Sequence, residues 1–237
     1  MDLEIKGFIE SSFLDWDGKI VSTLYVAGCN FRCPFCHNSG LIEKPHEYET
    51  ISLDKIEKFL LEHKDFLDGI CLTGGEPCLH KNKGLFEFLK HIKSLGFLIK
   101  LDSNGLDPDC LQKAIDEKLV DYIAMDIKAP KDKYQILAGV NKSYIKNIES
   151  STEIIKKLAP DYEFRTTVVP GLLGKEDILS IAKWLSGSKR YILQQFTVPG
   201  ELMDKNLAKS KPYPKEFFND LKSVVKDYFT FCEIRGF

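Results

Sequence analysis

Apolar and polar positions alternate along this chain in two rhythms. Short runs rich in β-branched or other apolar residues, at 4–10, 20–27, 69–73, 97–101, 122–126, 163–169, 191–196 and 229–234, read as strands. Longer stretches between them carry helical spacing. Ile56, Phe59, Leu60 and Leu67 form one stripe behind Ser52, a good N-cap. Residues 85–95 read as a helix stopped by Gly96, and residues 108–118 as one opened by Pro108. Residues 131–137, 148–158, 176–185 and 215–226 complete the helical set. Asp15-Trp16-Asp17-Gly18 is a turn signal between the first two strands, and a polar stretch follows the loop after the second strand up to Thr50.

Strands that alternate with helices imply βα units around a parallel sheet. Counted from residue 20 there are about six, two fewer than close a (β/α)8 barrel. The predicted fold is therefore α/β: a partial (β/α)6 TIM-like barrel, open on one side, with an N-terminal strand or hairpin and a C-terminal strand. An open side admits a substrate as large as a protein loop. At 237 residues a single domain spanning 1–237 is expected.

Composition narrows the class further. A net charge of −2 argues against nucleic acid or a membrane surface as the partner. No apolar run approaches the roughly 20 residues that span a bilayer. The first residues, Met1 to Lys6, lack a secretion signal, so a cytoplasmic location is expected. The seven cysteines are odd in number and three are bunched, which reads as metal chemistry in a reducing compartment rather than a disulfide framework.

That bunch is Cys29, Cys33 and Cys36, on the loop after the strand 20–27. Three thiolates on one short loop can hold three corners of a cubane iron–sulfur cluster and leave the fourth iron without a protein ligand. Two other readings stand beside it. One is a zinc knuckle of Cys29, Cys33, Cys36 and His37, although adjacent Cys36 and His37 are awkward ligands for one ion. The other is a redox dithiol of Cys33 and Cys36, which leaves Cys29 without a purpose.

Further chemistry falls at the strand ends, where βα folds build their sites. Gly74-Gly75-Glu76-Pro77 offers close backbone approach and a carboxylate for an ammonium group; its plainer reading is a βα turn. Asp102-Ser103-Asn104 offers short polar side chains for a ribose or an amino-acid head group, or else a simple Asx turn. Asp126 and Lys128 point to one side, so Lys128 can meet a carboxylate, or merely pair with Asp126. Asp126 would also lie near Asp102 on a neighbouring strand. Two such carboxylates repel unless a cation intervenes, which suggests a monovalent cation there. Each of the five histidines reads as a surface or satisfied residue.

Cys-x3-Cys-x2-Cys with Phe35 before the last cysteine, together with Gly74-Gly75-Glu76-Pro77, resembles the radical S-adenosylmethionine superfamily. More narrowly, residues 15–19, 28–38, 102–105 and 126–128 resemble the glycyl-radical-enzyme activases. The likeness is first to those of anaerobic ribonucleoside-triphosphate reductase, then to those of pyruvate formate-lyase. The resemblance implies one [4Fe–4S] cluster on Cys29, Cys33 and Cys36, with S-adenosylmethionine on the fourth iron. It implies reductive cleavage to methionine and a 5′-deoxyadenosyl radical, which takes the α-hydrogen of a glycine on a partner glycyl radical enzyme. Flavodoxin or ferredoxin is the expected electron donor.

By the same resemblance Gly74, Gly75, Glu76, Pro77, Asp102, Ser103, Asn104, Asp126 and Lys128 belong to the cofactor site. Phe35, Val168 and Val169 would lie at the adenine, and Gln195 would stand in for a late-strand histidine that this chain lacks. Cys71, Cys110 and Cys232 read as structural, and Cys78 lies close to the site without an assigned role. A radical enzyme acting on a small molecule or peptide would show the same motifs. A zinc or electron-transfer module would share the cysteines alone.

Overall fold

The computed structural model describes residues 3–198 and 202–237. One eight-stranded sheet runs through it in sequence order: β1 (Ile5–Ser12), β2 (Val21–Val26), β3 (Gly69–Gly74), β4 (Leu98–Ser103), β5 (Tyr122–Asp126), β6 (Tyr162–Val168), β7 (Ser188–Gln195) and β8 (Phe229–Arg235). β1 pairs antiparallel with β2, and every later pairing is parallel. β1 and β8 are the two edges, so the sheet curls without closing. This is the expected partial barrel, with β8 as its C-terminal strand.

The helices are α1 (Ser39–Glu43), α2 (Leu53–Glu62), α3 (Leu85–Ser94), α4 (Pro108–Asp116), α5 (Tyr134–Leu137), α6 (Ile145–Leu158), α7 (Lys175–Trp184) and α8 (Lys215–Val225). Local chemistry sets their starts. Ser52 accepts from the Lys55 amide to open α2, and Asp107 accepts from the Cys110 amide to open α4 ahead of Pro108. Each buries one stripe, such as Ile56 and Leu60 of α2 or Leu111, Ala114 and Ile115 of α4, against the outer face of the sheet. Among the described residues no helix is long and apolar enough to cross a membrane.

Two features were not marked in the sequence. The polar stretch up to Thr50 holds α1 and a 3-10 turn at Pro45–Glu47. Leu41 of α1 is buried and its carbonyl accepts from Gly28, just before the cysteines. A five-residue helix is too short to show a period. Second, Cys78 and Cys110 are joined by a disulfide, with a Cα–Cα distance of 5.9 Å. Cys78 follows Pro77 and Cys110 opens α4, so the bond ties together the turns after β3 and β4. A pair separated by 32 residues carries no spacing signal of its own.

The inner face of the sheet is unusual for a barrel. A small apolar plug of Trp16, Val21, Cys71, Tyr122 and Ala124 fills the end nearest the strand starts. Trp16 reaches it from the β1–β2 loop, its ring 5.6 Å from that of Tyr122. Above the plug the lumen is lined by charge. Lys100 and Asp102 of β4, Asp126 of β5, and Glu163 and Arg165 of β6 all point inward at alternate positions. Arg235 of β8 pairs with Glu163 at 2.9 Å and with Asp17 of the β1–β2 loop at 2.5 Å, which links the two edges of the open sheet.

Candidate active site

At the C-terminal ends of the strands lies a cavity of about 370 Å³. Cys29, Cys33 and Cys36 face it from one side, with Phe35 and Asn38. Gly74, Gly75 and Glu76 at the end of β3, Asp102, Ser103 and Asn104 at the end of β4, and Asp126 and Lys128 at the end of β5 complete its wall. Residues scattered over a hundred positions of sequence thus share one space, because the parallel strands all end at the same rim.

The cysteine loop is held from several directions. Asn38 donates through Nδ2 to the carbonyl of Gly74 at 2.8 Å. The amides of Gly75 and Glu76 donate to Val26 and Gly28. Here the glycines have a use that differs from the expected approach to a ligand. A Cβ on Gly74, whose φ is +107°, would lie 2.5 Å from the Val26 nitrogen. A Cβ on Gly75 would lie 1.8 Å from the Gly28 oxygen. The pair lets the β3 turn press onto the backbone of the cysteine loop. On the far side the Arg32 amide donates to the carbonyl of Ala138, just past α5.

Glu76 is 1% exposed and its carboxylate accepts from Asn104 N (2.7 Å), Ser103 Oγ (2.9 Å) and Cys78 N (3.1 Å). Burial outweighs those donors and pushes the carboxyl up to about 7. Lys128 shows the opposite balance. Burial works against its charge, but Asp126 at 3.1 Å holds the ammonium well above its ordinary range. Burial also pushes the Cys29 thiol up to about 11, with Glu76 adding to it, and the Cys33 thiol up to about 12.

The pair Asp102 and Asp126 is bridged from within the chain. Arg165 donates through Nη1 to Asp102 Oδ2 at 3.0 Å and through Nε to Asp126 Oδ1 at 2.9 Å. Burial opposes both carboxylates, yet the Arg165 charge, aided by Lys100 at Asp102 and by Lys128 at Asp126, holds each below its usual range. Asp102 Oδ1 faces Lys100 Nζ at 3.3 Å as an ion pair without a well-aligned hydrogen bond. Lys100 Nζ instead donates to the carbonyl of Asp15.

Three expected residues are placed elsewhere. Val168 and Val169 are fully buried in the outer core, and Thr167 faces the cavity. Gln195 turns away and donates to the carbonyl of Tyr213, while Gln194 lines the cavity. Val168 and Gln195 are each one step in the two-residue alternation of a strand from a cavity-lining neighbour, whereas Val169 lies past the end of β6 and packs into the core. Pro77 is buried behind Glu76, where it opens a 3-10 turn. Among the histidines, His37 donates to the carbonyl of Thr197 at 2.9 Å and lies 6.2 Å from the Phe196 ring, so its Nε2 is committed away from the thiols. His80 is buried and donates to Ala27, but its Nδ1 has no partner. Arg165, Thr167 and Tyr25 line the cavity without having been marked by any motif, and Asp15 and Gln194 line it without having been named as site residues.

The donor set fits an iron–sulfur cluster. Three thiols face one space, and the Cys29 sulfur accepts from the Phe31 amide at 3.3 Å and receives Asn104 Nδ2 at 3.6 Å. A buried acid, Glu76, and a partly buried ammonium, Lys128, stand in the same cavity, as a ligand with both an amine and a carboxylate requires.

A model of the radical SAM superfamily matches residues 23–185. Over 239 aligned positions, 94% of this chain and 90% of the relative, the chain is 34% identical to a Methanocaldococcus jannaschii protein provisionally named a glycyl-radical enzyme activating enzyme. It is 26% identical to the pyruvate formate-lyase-activating enzyme of Staphylococcus aureus over 69% of this chain and 68% of that one. Among solved structures the fold is shared with a domain of pyruvate-formate lyase-activating enzyme from Bacteroides vulgatus: TM-score 0.53, 19% identity, 71% of this chain and 99% of that one. It is shared also with Streptococcus suis SuiB, at TM-score 0.63 and 18% identity, over 89% of this chain and 47% of that one. The chain therefore belongs to the radical SAM superfamily and, within it, to the glycyl-radical-enzyme activating enzymes.

Proposed function

We propose that this enzyme, acting as one domain, generates a glycyl radical on a partner protein, with anaerobic ribonucleoside-triphosphate reductase as the first candidate and pyruvate formate-lyase the next. The observation that carries the reading is the convergence of the three thiols with Glu76, Ser103 and Lys128 on one cavity at the strand ends. A [4Fe–4S] cluster with S-adenosylmethionine supplies one-electron cleavage of the sulfonium bond and abstraction of the glycine α-hydrogen, the electron coming from a flavodoxin or ferredoxin.

The chain's own residues position and shield. Cys29, Cys33 and Cys36 would hold the cluster. Glu76 would accept from the methionine ammonium, and Lys128, kept charged by Asp126, would meet the carboxylate. Phe35, buried at the rim, supplies an apolar wall on the adenosine side. Arg165 provides the positive charge that Asp102 and Asp126 call for, so the cation expected between them is in this reading a guanidinium. In the same cavity, Asp15, Tyr25, Thr73, Thr167 and Gln194 offer hydrogen-bonding groups, which suits peptide backbone better than an apolar side chain.

The test is direct. Reduced, reconstituted enzyme is mixed with S-adenosylmethionine and each candidate partner, then frozen for EPR. A glycyl doublet on one partner, with one 5′-deoxyadenosine formed per radical, supports the proposal. Turnover of S-adenosylmethionine that leaves no radical on any glycyl radical enzyme, but modifies a small molecule or peptide, would replace it.

A further inference from the structure

Asn104 was expected to hold the cofactor, but its side chain has its hydrogen bonds elsewhere. It sits at the end of β4 and is 6% exposed. Its Oδ1 accepts from the Leu106 amide at 2.9 Å. Its Nδ2 donates to Asn30 Oδ1 at 2.7 Å and reaches the Cys29 sulfur at 3.6 Å. The Leu106 contact fixes which end of the carboxamide is which. An amide N–H can only donate, so the atom facing Leu106 must be the oxygen, and both Nδ2 hydrogens are turned to the cysteine loop. The capacity of the group is nearly used: two donors given and one acceptor filled.

An N–H aimed at a cluster sulfur has an electrical consequence. Reduction by one electron adds negative charge to the cluster, and part of that charge resides on the ligand sulfurs. A donor there stabilises the reduced form and raises the reduction potential. The Phe31 amide, at 3.3 Å from the same sulfur, belongs to the backbone of the loop, and no substitution short of proline removes it. Asn104 is the side-chain donor to Cys29, and it comes from a different strand.

We propose that Asn104 is a positioning residue for the cluster loop, whose Nδ2–H donates to the Cys29 sulfur and sets the cluster's reduction potential, and is not a residue that holds S-adenosylmethionine. The inference rests on the reading of Cys29, Cys33 and Cys36 as cluster ligands, and not on which partner is activated. In the step concerned, the oxidised cluster takes one electron from an external one-electron reductant, and the Asn104 proton stays on its nitrogen.

The experiment is a potentiometric titration of the reconstituted full chain, followed by EPR of the reduced cluster, for the wild type, Asn104→Ala and Asn104→Asp. The aspartate keeps an acceptor for Leu106 N and so keeps the turn, but has no N–H to give. Both variants should fall in potential. At the wild-type midpoint their reduced-to-oxidised ratio should drop about tenfold, which is about 59 mV for a one-electron couple. Affinity of the oxidised enzyme for S-adenosylmethionine should change by less than about threefold in Asn104→Ala. Loaded variants with an unmoved midpoint overturn the proposal, as does an affinity that collapses while the midpoint stays.

Should neither variant load, pulsed EPR of the reduced wild type with asparagine side chains labelled by 15N decides. A coupled amide nitrogen that persists in Asn30→Asp/Asn38→Asp protein, which leaves Asn104 as the labelled carboxamide at the Cys29 sulfur, supports the proposal, and its absence overturns it. A wild-type chain that takes up no iron and sulfide rejects the cluster reading itself, a distinguishable result.

Discussion

Replacing Glu76 by Gln tests the electrostatics of the cavity without changing its shape. The carboxyl is pushed from its ordinary 4.5 up to about 7 because burial outweighs three hydrogen bonds. The folded protein therefore keeps a proton on Glu76 that the unfolded chain releases above about pH 4.5. Between the two values the folded state binds more protons, so stability falls as pH rises, and the loss is complete above about pH 7. At 1.36 kcal/mol for each tenfold, the whole loss is roughly 3 kcal/mol.

Glu76→Gln removes that dependence. It also introduces an offset that does not vary with pH, because an amide cannot accept from Asn104 N at one end and Cys78 N at the other, which costs about 1–3 kcal/mol. The informative quantity is therefore the slope. Cluster-free protein is unfolded with urea anaerobically from pH 5 to pH 8.5. Wild type should lose roughly 2–3 kcal/mol relative to the variant across that range. Taking the difference removes the contributions of His37 and His80, which titrate in both proteins. A constant difference at all pH values would mean that Glu76 ionises normally, and the desolvated carboxyl described above would be wrong. With the cluster in place, wild-type affinity for S-adenosylmethionine should strengthen as pH rises through about 7, where the carboxylate forms, and Glu76→Gln should bind weakly throughout.

Further outcomes are expected. Arg165→Leu leaves Asp102 and Asp126 facing each other without their bridge and should lower stability by about 3–5 kcal/mol, as measured by urea unfolding; a loss under about 1 kcal/mol would show that the bridge is dispensable. Thiol titration of denatured, cluster-free protein prepared without reductant should count five thiols, not the seven in the sequence, because Cys78 and Cys110 are bonded. A count of seven removes the disulfide. Closing its 32-residue separation is worth roughly 3–4 kcal/mol by loop entropy, so added reductant should lower the unfolding midpoint of wild type and not of Cys78→Ala/Cys110→Ala. Cys33→Ala should lose cluster absorbance and cleavage of S-adenosylmethionine together; cleavage without Cys33 would contradict its role as a ligand.

What the sequence disclosed, and what it hid, follows from which interactions are local. The alternation of strand and helix is a property of neighbouring residues, and so are the cysteine loop, the Gly74-Gly75-Glu76-Pro77 turn and the polar ends of β4 and β5. All were legible. Val168 and Gln195 are displaced from the cavity by one step of strand phase, and Val169 lies beyond the end of β6. A strand end shows its period, but which of two adjacent residues faces inward depends on how the sheet curls, and that is set by distant pairings. The disulfide and the Asn104 contacts join separate βα turns and leave no local trace. One signal for the lumen was nonetheless present. A strand covered on both faces should be apolar throughout, yet β6 reads Glu163-Phe164-Arg165-Thr166-Thr167 and β4 carries Lys100 and Asp102. Charges at alternate positions in buried strands mean that one face looks into a polar interior.

That interior explains why Lys128 and Glu76 are suited to different ends of one ligand. A ladder of ion pairs runs down the lumen from Lys128 through Asp126, Arg165, Asp102 and Lys100 to Glu163, Arg235 and Asp17. Each charge has an opposite neighbour, so the ladder is balanced before any ligand arrives, and none of its members gains by losing a proton. Lys128, at the rim end, stays charged because Asp126 holds it. A carboxylate reaching it shares an ammonium already present, and no proton need move. Glu76 lies outside the ladder, surrounded by neutral donors, and is the acid of the cavity whose ionisation awaits a positive partner. An arriving ammonium group would supply the charge that burial denies it. The two ends of an amino-acid head group thus meet different physics: a preformed cation at Lys128, and at Glu76 a carboxyl poised near neutrality whose ionisation is coupled to binding.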